Sequence, residues 1–323
     1  METLVEITGL RKDFGPIKAV RDVSFSVNRG EVLGFLGPNG AGKSTTMKML
    51  TCYLTPTAGT AKVCGHSILE EPLAVRRKIG YLPEGAPAYA DMTPLGFLRF
   101  IADVRGVRGA AKQNAIDRVV ELVGLHDVLH QPIETLSKGF KRRVGLAQSI
   151  LHEPEVLILD EPTDGLDPNQ KHEVRNLIKS MAANKVIILS THILEEVDAV
   201  CSRAVIIAQG TKIFDGTPQE FLSKSADHNV ILVKVNNDTA MGLQGMLTEL
   251  EQVQSVAKVE DCADGHKRYR ITPKQGQNIA ALLTKVAQDN KWSFAELQQL
   301  TGRYDDVFRQ LTLPESTSKG GKS

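Results

Sequence analysis

Apolar residues in this chain come in short runs separated by polar stretches, and over residues 1–222 the runs alternate between two spacings. Leu4–Thr8, Val23–Val27, Glu31–Phe35, Lys78–Leu82, Glu155–Leu159, Lys185–Leu189 and Ala204–Ile207 have the composition of strands, with helical patterns between them. From Glu155 onward the runs are almost continuously apolar, as strands buried on both faces are. This alternation predicts a layered α/β domain with a largely parallel sheet. Between Thr93 and Gly124 the strand signal stops. Thr93-Pro94 supplies an N-cap with proline in the first turn, and Leu95, Leu98, Ile101 and Ala102 follow at helical spacing. A second helix is expected over Ala110–Val123, with Ile116, Val119, Val120 and Val123 on one face. Residues 93–150 therefore read as a mainly helical insertion.

After Leu222 the pattern restarts. Val230–Val235, Val256–Glu260, Tyr269–Thr272 and Ser293–Leu297 read as strands, Thr239–Leu250 and Asn278–Val286 as helices, with a short helix near Asp305–Leu311. The β-α-β-β-α-β order suits a small ferredoxin-like α+β domain over residues 223–313. Residues 314–323 are polar and glycine-bearing and are expected to be a disordered tail. The cluster Lys267-Arg268-Tyr269-Arg270 reads as a solvated strand edge.

Composition narrows the function. With 39 Lys+Arg against 38 Asp+Glu the net charge is +1, which excludes the strongly basic footprint of a dedicated nucleic-acid binder, so no nucleic-acid partner is expected. A content of 41% hydrophobic and 24% charged residues is that of a globular protein. No apolar run approaches the ~20 residues of a membrane-spanning helix, and no charged-then-apolar leader follows Met1, so a cytoplasmic location is expected. Cys52, Cys64, Cys201 and Cys262 lack both paired and metal-ligand spacing and read as reduced, structural thiols.

The chemistry begins at Gly37-Pro38-Asn39-Gly40-Ala41-Gly42-Lys43-Ser44, which fits G-x-x-x-x-G-K-[ST] between an apolar strand and a helical stretch starting at Thr45. Glycines there let backbone N–H groups turn inward around a phosphate, and the helix N-terminus adds partial positive charge. Lys43 is placed to bridge the β- and γ-phosphates, and the Ser44 hydroxyl to ligate Mg²⁺. A second strand, Val156–Leu159, delivers Asp160 and Glu161 together at its C-terminal end, where open α/β sheets place ligands. Asp160 is suited to hold Mg²⁺. Glu161, pointing the other way by strand alternation, is suited to be the general base for the attacking water.

With Leu136-Ser137-Lys138-Gly139-Phe140, Asp164-Gly165-Leu166-Asp167 and His192, these motifs make the chain resemble the ATP-binding subunit of an ABC transporter, over Leu4 to about Thr217. The resemblance implies a P-loop NTPase fold of the ABC type, an ATP-binding cassette with a helical subdomain, that binds ATP and Mg²⁺ and hydrolyses ATP. It implies that Ser137 and Gly139 cap the γ-phosphate of ATP held by a second copy, giving a homodimer with two shared ATP sites. Ser137 is an ordinary helix N-cap in the plainer reading. His192 matches the family's switch histidine at the γ-phosphate, Asp167 the loop that crosses the dimer interface, and Phe14 the aromatic that stacks on adenine, core packing being the alternative for Phe14. A separate transmembrane permease is the implied partner, its short helix received near Glu84–Leu95, with the chain peripheral on the inner face of the membrane.

Two departures from the family pattern stand out. Glu84, in Gly80-Tyr81-Leu82-Pro83-Glu84, occupies a position usually held by glutamine; it keeps an oxygen ligand for Mg²⁺, loses an N–H donor and adds a negative charge. The signature reads Ser-Lys-Gly-Phe in place of Ser-Gly-Gly-Gln. Both resemble the type-2 exporter branch, whose C-terminal extensions end in an Asp-Val-Phe segment like Asp306-Val307-Phe308. An importer subunit and a soluble ABC-type ATPase acting on ribosomes or DNA are the alternatives. The single P-loop, single signature and lack of sustained heptads count against the second of these.

Overall fold

The computed structural model describes residues 2–85 and 88–312. The tail expected over residues 314–323 lies outside the described residues. The chain divides into two units, Met1–Pro218 and Gln219–Ser323.

In the first unit, β1 (Thr3–Phe14) and β2 (Ile17–Asn28) form an antiparallel hairpin. The wholly buried β3 (Val32–Leu36) then leads through the glycine-rich turn into α1 (Lys43–Leu50). β4 (Ala58–Val63) and β5 (His66–Ser67) extend the hairpin sheet, and α2 (Pro72–Lys78) returns the chain to β6 (Ile79–Leu82). Three helices follow: α3 (Pro94–Val104), α4 (Gly109–Val123) and α5 (Lys138–Ile150). Thr93 caps α3 by accepting a hydrogen bond from the Gly96 N–H at 3.1 Å, and Gly124 at φ 65° ends α4. The chain then alternates through β7 (Val156–Asp160), α6 (Pro168–Met181), β8 (Val186–Thr191), α7 (Leu194–Val200), β9 (Arg203–Ala208) and β10 (Thr211–Gly216).

These ten strands lie in the order β5-β4-β1-β2-β10-β9-β3-β8-β7-β6. Only the half from β9 to β6 is parallel throughout; β1, β2, β4 and β5 pair antiparallel, as do β9 and β10. The expectation of a largely parallel sheet is thus corrected. β4, β5 and β10, absent from the sequence reading, are half exposed; β4 and β10 carry glycine, threonine and lysine, and β5 is only His66 and Ser67. They lack the continuous apolar run of a strand covered on both sides, because hairpin pairing does not require one. The core that joins the halves runs from Leu10, Val23 and Phe25 through Phe35 to Val156, Ile158 and Ile188.

In the second unit α8 (Pro218–Leu222) precedes β11 (Ile231–Val235), α9 (Asn237–Thr248), β12 (Val253–Asp261), β13 (Lys267–Pro273), α10 (Ala280–Asp289), β14 (Phe294–Gln299) and α11 (Tyr304–Thr312). The four strands pair antiparallel in the order β12-β13-β11-β14. Alternate residues of β11 and β13, among them Ile231, Val233, Tyr269 and Ile271, pack with Leu243, Leu247 and Leu283 of the two helices. The Lys267–Arg270 cluster is not at an edge: β13 is paired on both sides, and Arg268 stands among carboxylate partners, Glu260 of β12 and Glu296 of β14. Val307 of the Asp-Val-Phe segment is wholly buried on α11, so its side chain is a packing residue of this unit.

Candidate active site

β3, β7 and β8 lie side by side in parallel, with Leu36 opposite Thr191 and Asp160 opposite Ser190, so the residues just beyond them meet at one end of the sheet. Gly37–Gly42 wraps this end. Gly42, at φ 104°, adopts a conformation closed to most side chains, and a Cβ there would meet the Ala19 carbonyl at 2.4 Å. Its carbonyl accepts the buried Thr46 hydroxyl at 2.9 Å, anchoring the start of α1. Pro38, Asn39, Gly40 and Ala41 form the turn between them, and Thr45 follows Ser44 in the first turn of α1. Lys43 is buried, with Nζ donating to the Gly37 carbonyl at 2.8 Å and lying 3.9 Å from Glu161 Oε1. Burial pulls its pKa down, opposed by the charges of Glu161, Asp160 and Glu84.

Ser44 Oγ donates to Asp160 Oδ1 at 3.4 Å, and the buried Ser190 hydroxyl donates to the same oxygen. The other carboxylate oxygen, Oδ2, is buried without a hydrogen-bond partner. An anionic oxygen in that condition is costly unless a cation completes it. A carboxylate and a hydroxyl are the hard oxygen donors that Mg²⁺ takes, beside a loop shaped for its phosphate ligands, so these residues fit the metal. Glu84 is exposed; with Asp160, Lys48, Tyr53 and Tyr81 it lines an adjoining cleft of about 720 Å³.

Glu161 follows β7 in a left-handed conformation, φ 50°. Strand alternation is therefore not what directs its side chain, contrary to the sequence argument; the backbone turn does. That turn is fastened on both sides. The Glu161 N–H donates to the Ser190 carbonyl at 3.1 Å and lies 3.2 Å from its hydroxyl, and the Glu161 carbonyl accepts from Arg142. The carboxylate, largely buried, meets His192 Nδ1 at 3.0 Å; since a carboxylate accepts, Nδ1 is the donor. Burial raises the Glu161 pKa, and the His192 hydrogen bond is the largest effect opposing the rise.

The structure thus brings Lys43, Ser44, Asp160, Glu161 and His192 together. Ser137 and Asp167 stand apart as exposed N-caps, of α5 and α6: Ser137 Oγ accepts from the Phe140 N–H at 3.3 Å and Asp167 Oδ1 from the Gln170 N–H at 3.0 Å. Gly139 is buried, and a Cβ on it would fall 2.6 Å from the amide end of the Gln170 side chain. Phe14 is 45% exposed, with Lys12 Nζ 5.2 Å from its ring centre, so the core-packing alternative for it does not hold.

Two partners were missed in the sequence. Arg142 is 5% exposed on α5 and donates to the carbonyls of Glu161 and Pro83, tying the helix after Ser137 to the acidic strand end. Its only signal is a charge on the face that Gly139 and Leu146 bury at i−3 and i+4. Ser190, one pairing step from Asp160, carries no sequence signal at all. A separate apolar groove of about 760 Å³ lies among Tyr53, Leu73, Ile101, Val104, Arg105 and Gln148, drawn from α2, α3 and α5 rather than from the Glu84–Leu95 segment.

Residues 20–164 match the family described as ABC transporter. The chain is 38% identical over 253 residues to the ABC transporter ATP-binding protein YxlF of Bacillus subtilis, covering 78% of this chain and 82% of that one. It is 32% identical over 311 residues to the Nod factor export ATP-binding protein I of Ralstonia nicotianae, 96% of this chain and 94% of that one. Among solved structures, an ATP-binding subunit of an ABC transporter superposes with TM-score 0.63 at 32% identity, over 68% of this chain and 91% of its own. Likeness of this extent, falling on a cradle and acidic strand end already assembled for a nucleoside triphosphate, decides the family: the chain belongs to the ABC transporter ATP-binding proteins and is an ATPase.

Proposed function

We propose that the protein binds ATP between two copies of itself, hydrolyses it with Glu161 as general base, and drives a separate membrane-spanning permease in the direction of export. The observation that carries this reading is a phosphate cradle and acidic cluster within one copy, together with a helix N-terminus capped by Ser137 that the same copy leaves exposed. A two-fold dimer gives that N-terminus a γ-phosphate to bind. Asp167 and the loop before it then lie at the interface, and Phe14 offers its exposed ring to adenine.

Lys43 exchanges the Gly37 carbonyl for the β- and γ-phosphate oxygens, and the backbone N–H groups of Gly40 to Thr45 cradle the β-phosphate. Ser44 Oγ, Asp160 Oδ2 and Glu84 are the oxygens that would hold Mg²⁺, which supplies charge neutralisation between the phosphates. Glu161 takes the proton of the attacking water, and His192, hydrogen-bonded to it, holds that carboxylate in place and reaches the γ-phosphate. Burial raises the Glu161 pKa, which makes its carboxylate a stronger base than an exposed glutamate.

Among the described residues no helix is long and apolar enough to cross a membrane. A cytoplasmic subunit that engages the permease through the groove at Tyr53, Leu73 and Val104 accords with these three side chains being exposed by 66% or more. Export accords with the name of the Ralstonia relative, a Nod factor export ATP-binding protein, and with the exporter-like Glu84 and signature. The test is light scattering of the Glu161→Gln protein with ATP and Mg²⁺: a dimer that reverts on nucleotide removal is expected, and a monomer saturated with ATP would overturn the shared site. Co-purification of a multi-span membrane protein, lost on Leu73→Asp, tests the coupling.

A further inference from the structure

Glu196 on α7 is 2% exposed and touches none of the phosphate-loop residues, yet both of its oxygens are occupied. Thr191 Oγ1 donates to Oε2 at 2.7 Å, Thr163 Oγ1 donates to Oε1, and Arg175 Nη2 from α6 stands 4.0 Å from Oε1. Thr191 immediately precedes His192, and Thr163 comes two residues after Glu161. The contacts therefore close a ring, from Glu161 along the chain to Thr163, through Glu196 to Thr191, along the chain to His192, and back to Glu161 at 3.0 Å.

His192 is half exposed, so packing does not fix its ring. What holds it is its backbone, and Thr191 is the fixed point next to it: besides meeting Glu196, Thr191 Oγ1 accepts the Ile193 N–H at 3.0 Å. On the other side, the chain leaves Glu161 through a turn closed by the Asp164 N–H on the Glu161 carbonyl, and Thr163 is buried within it. A carboxylate sunk in a protein interior costs more than an apolar side chain of the same size, and its two acceptor oxygens here impose a geometry on two otherwise separate segments. We propose that Glu196 is a positioning residue for ATP hydrolysis: by clasping Thr163 and Thr191 it sets the separation at which Glu161 and His192 meet. The inference rests on the roles given above to those two residues.

The experiment is steady-state hydrolysis by the full chain carrying Glu196→Gln, alone and with His192→Ala. The amide keeps the shape but offers one acceptor oxygen in place of two. A fall in kcat of ~10-fold, with KM for ATP within about twofold of the parent, is expected, because looser geometry slows the step without weakening the cradle. In the His192→Ala background the same substitution should cost less than about twofold further, since the contact it sets is gone. An unchanged kcat, a rise in KM alone, or losses that multiply in full would overturn the proposal. Thr163→Val, which removes one clasped hydroxyl at nearly constant volume, is read by the same criteria and decides the matter if Glu196→Gln does not fold. His192→Ala by itself separates the two readings. Full turnover in that variant sinks the site assignment, whereas impaired turnover there with normal turnover in Glu196→Gln sinks only the role of Glu196.

Discussion

The four buried charged side chains among the described residues, Lys43, Arg142, Asp160 and Glu196, all belong to the first unit, whereas the second adds to its apolar core only the neutral Ser225 and Thr239. The second unit is no poorer in charge on its sheet. Lys234 pairs with Asp264, Arg268 with Glu260 and Glu296, and Arg270 with Asp227, but none of these side chains is buried. Its interior is apolar and serves folding. Burying an ion costs several kcal/mol before partners are counted, so a domain built for stability alone has no reason to gather four of them within reach of one sheet end. The first unit does so around Ser190 and Glu161, where phosphate charge must be met by groups already in place. The contrast makes a quantitative claim: charges in the first unit govern turnover, and those in the second govern little.

Glu161→Gln strikes hardest at that claim. Turnover measured by phosphate release should fall ~10²-fold or more while ATP binding, followed by a fluorescent analogue, persists, as loss of a general base requires. A rate near that of the parent would remove Glu161 from the chemistry. Arg142→Met comes next. It removes the guanidinium that donates to the carbonyls of Pro83 and Glu161, leaving the latter only the Asp164 N–H, at a residue with positive φ. A loss of about 1–3 kcal/mol in denaturant unfolding of the first unit is expected, together with lower turnover. Intact activity at reduced stability would make Arg142 a packing residue and blunt the comparison.

What could be read from the sequence follows the same division. The phosphate loop, Asp160-Glu161 and the Ser137 cap are contiguous in the chain and impose their geometry locally, so residue type and order suffice to find them. The helix starts at Thr93 and Ser137 were legible for that reason. Arg142, Ser190 and Glu196 act across tertiary contacts, and nothing local distinguishes a buried arginine on a helix from a solvated one. The direction of Glu161 was misjudged because alternation was carried one residue past the end of β7, where the backbone turns left-handed. β4 and β10 were missed because a half-exposed antiparallel strand need not be apolar.

Glu161 must be ionised to accept a proton. Burial raises its pKa, and the hydrogen bond and charge of His192 partly hold it down. The acid limb of kcat should therefore lie above the ordinary glutamate value of about 4.3, and His192→Ala, by removing the opposing effect, should move it to higher pH. Residual activity of that variant then suffers more in mildly acidic than in mildly alkaline buffer. A limb that stays put or moves down would mean that His192 does not act on this carboxylate.

The smallest effect is expected in the second unit, and it is the one that tests the other half of the contrast. Arg268 sits on the inner strand β13 and reaches Glu260 at 2.7 Å and Glu296 at 3.3 Å, bridging β12 and β14 on the charged face. All three side chains are one-third to one-half exposed, so solvent screens the attraction and the ordering of long side chains offsets much of what remains. Arg268→Ala should therefore change the unfolding free energy by about 0.5 kcal/mol or less, measured from the urea midpoint, and leave hydrolysis at the parental rate. Were this substitution to lower turnover severalfold while stability held, charge on this face would be acting on the ATPase, and the division of labour between the two units would have to be redrawn around a regulatory surface on β13.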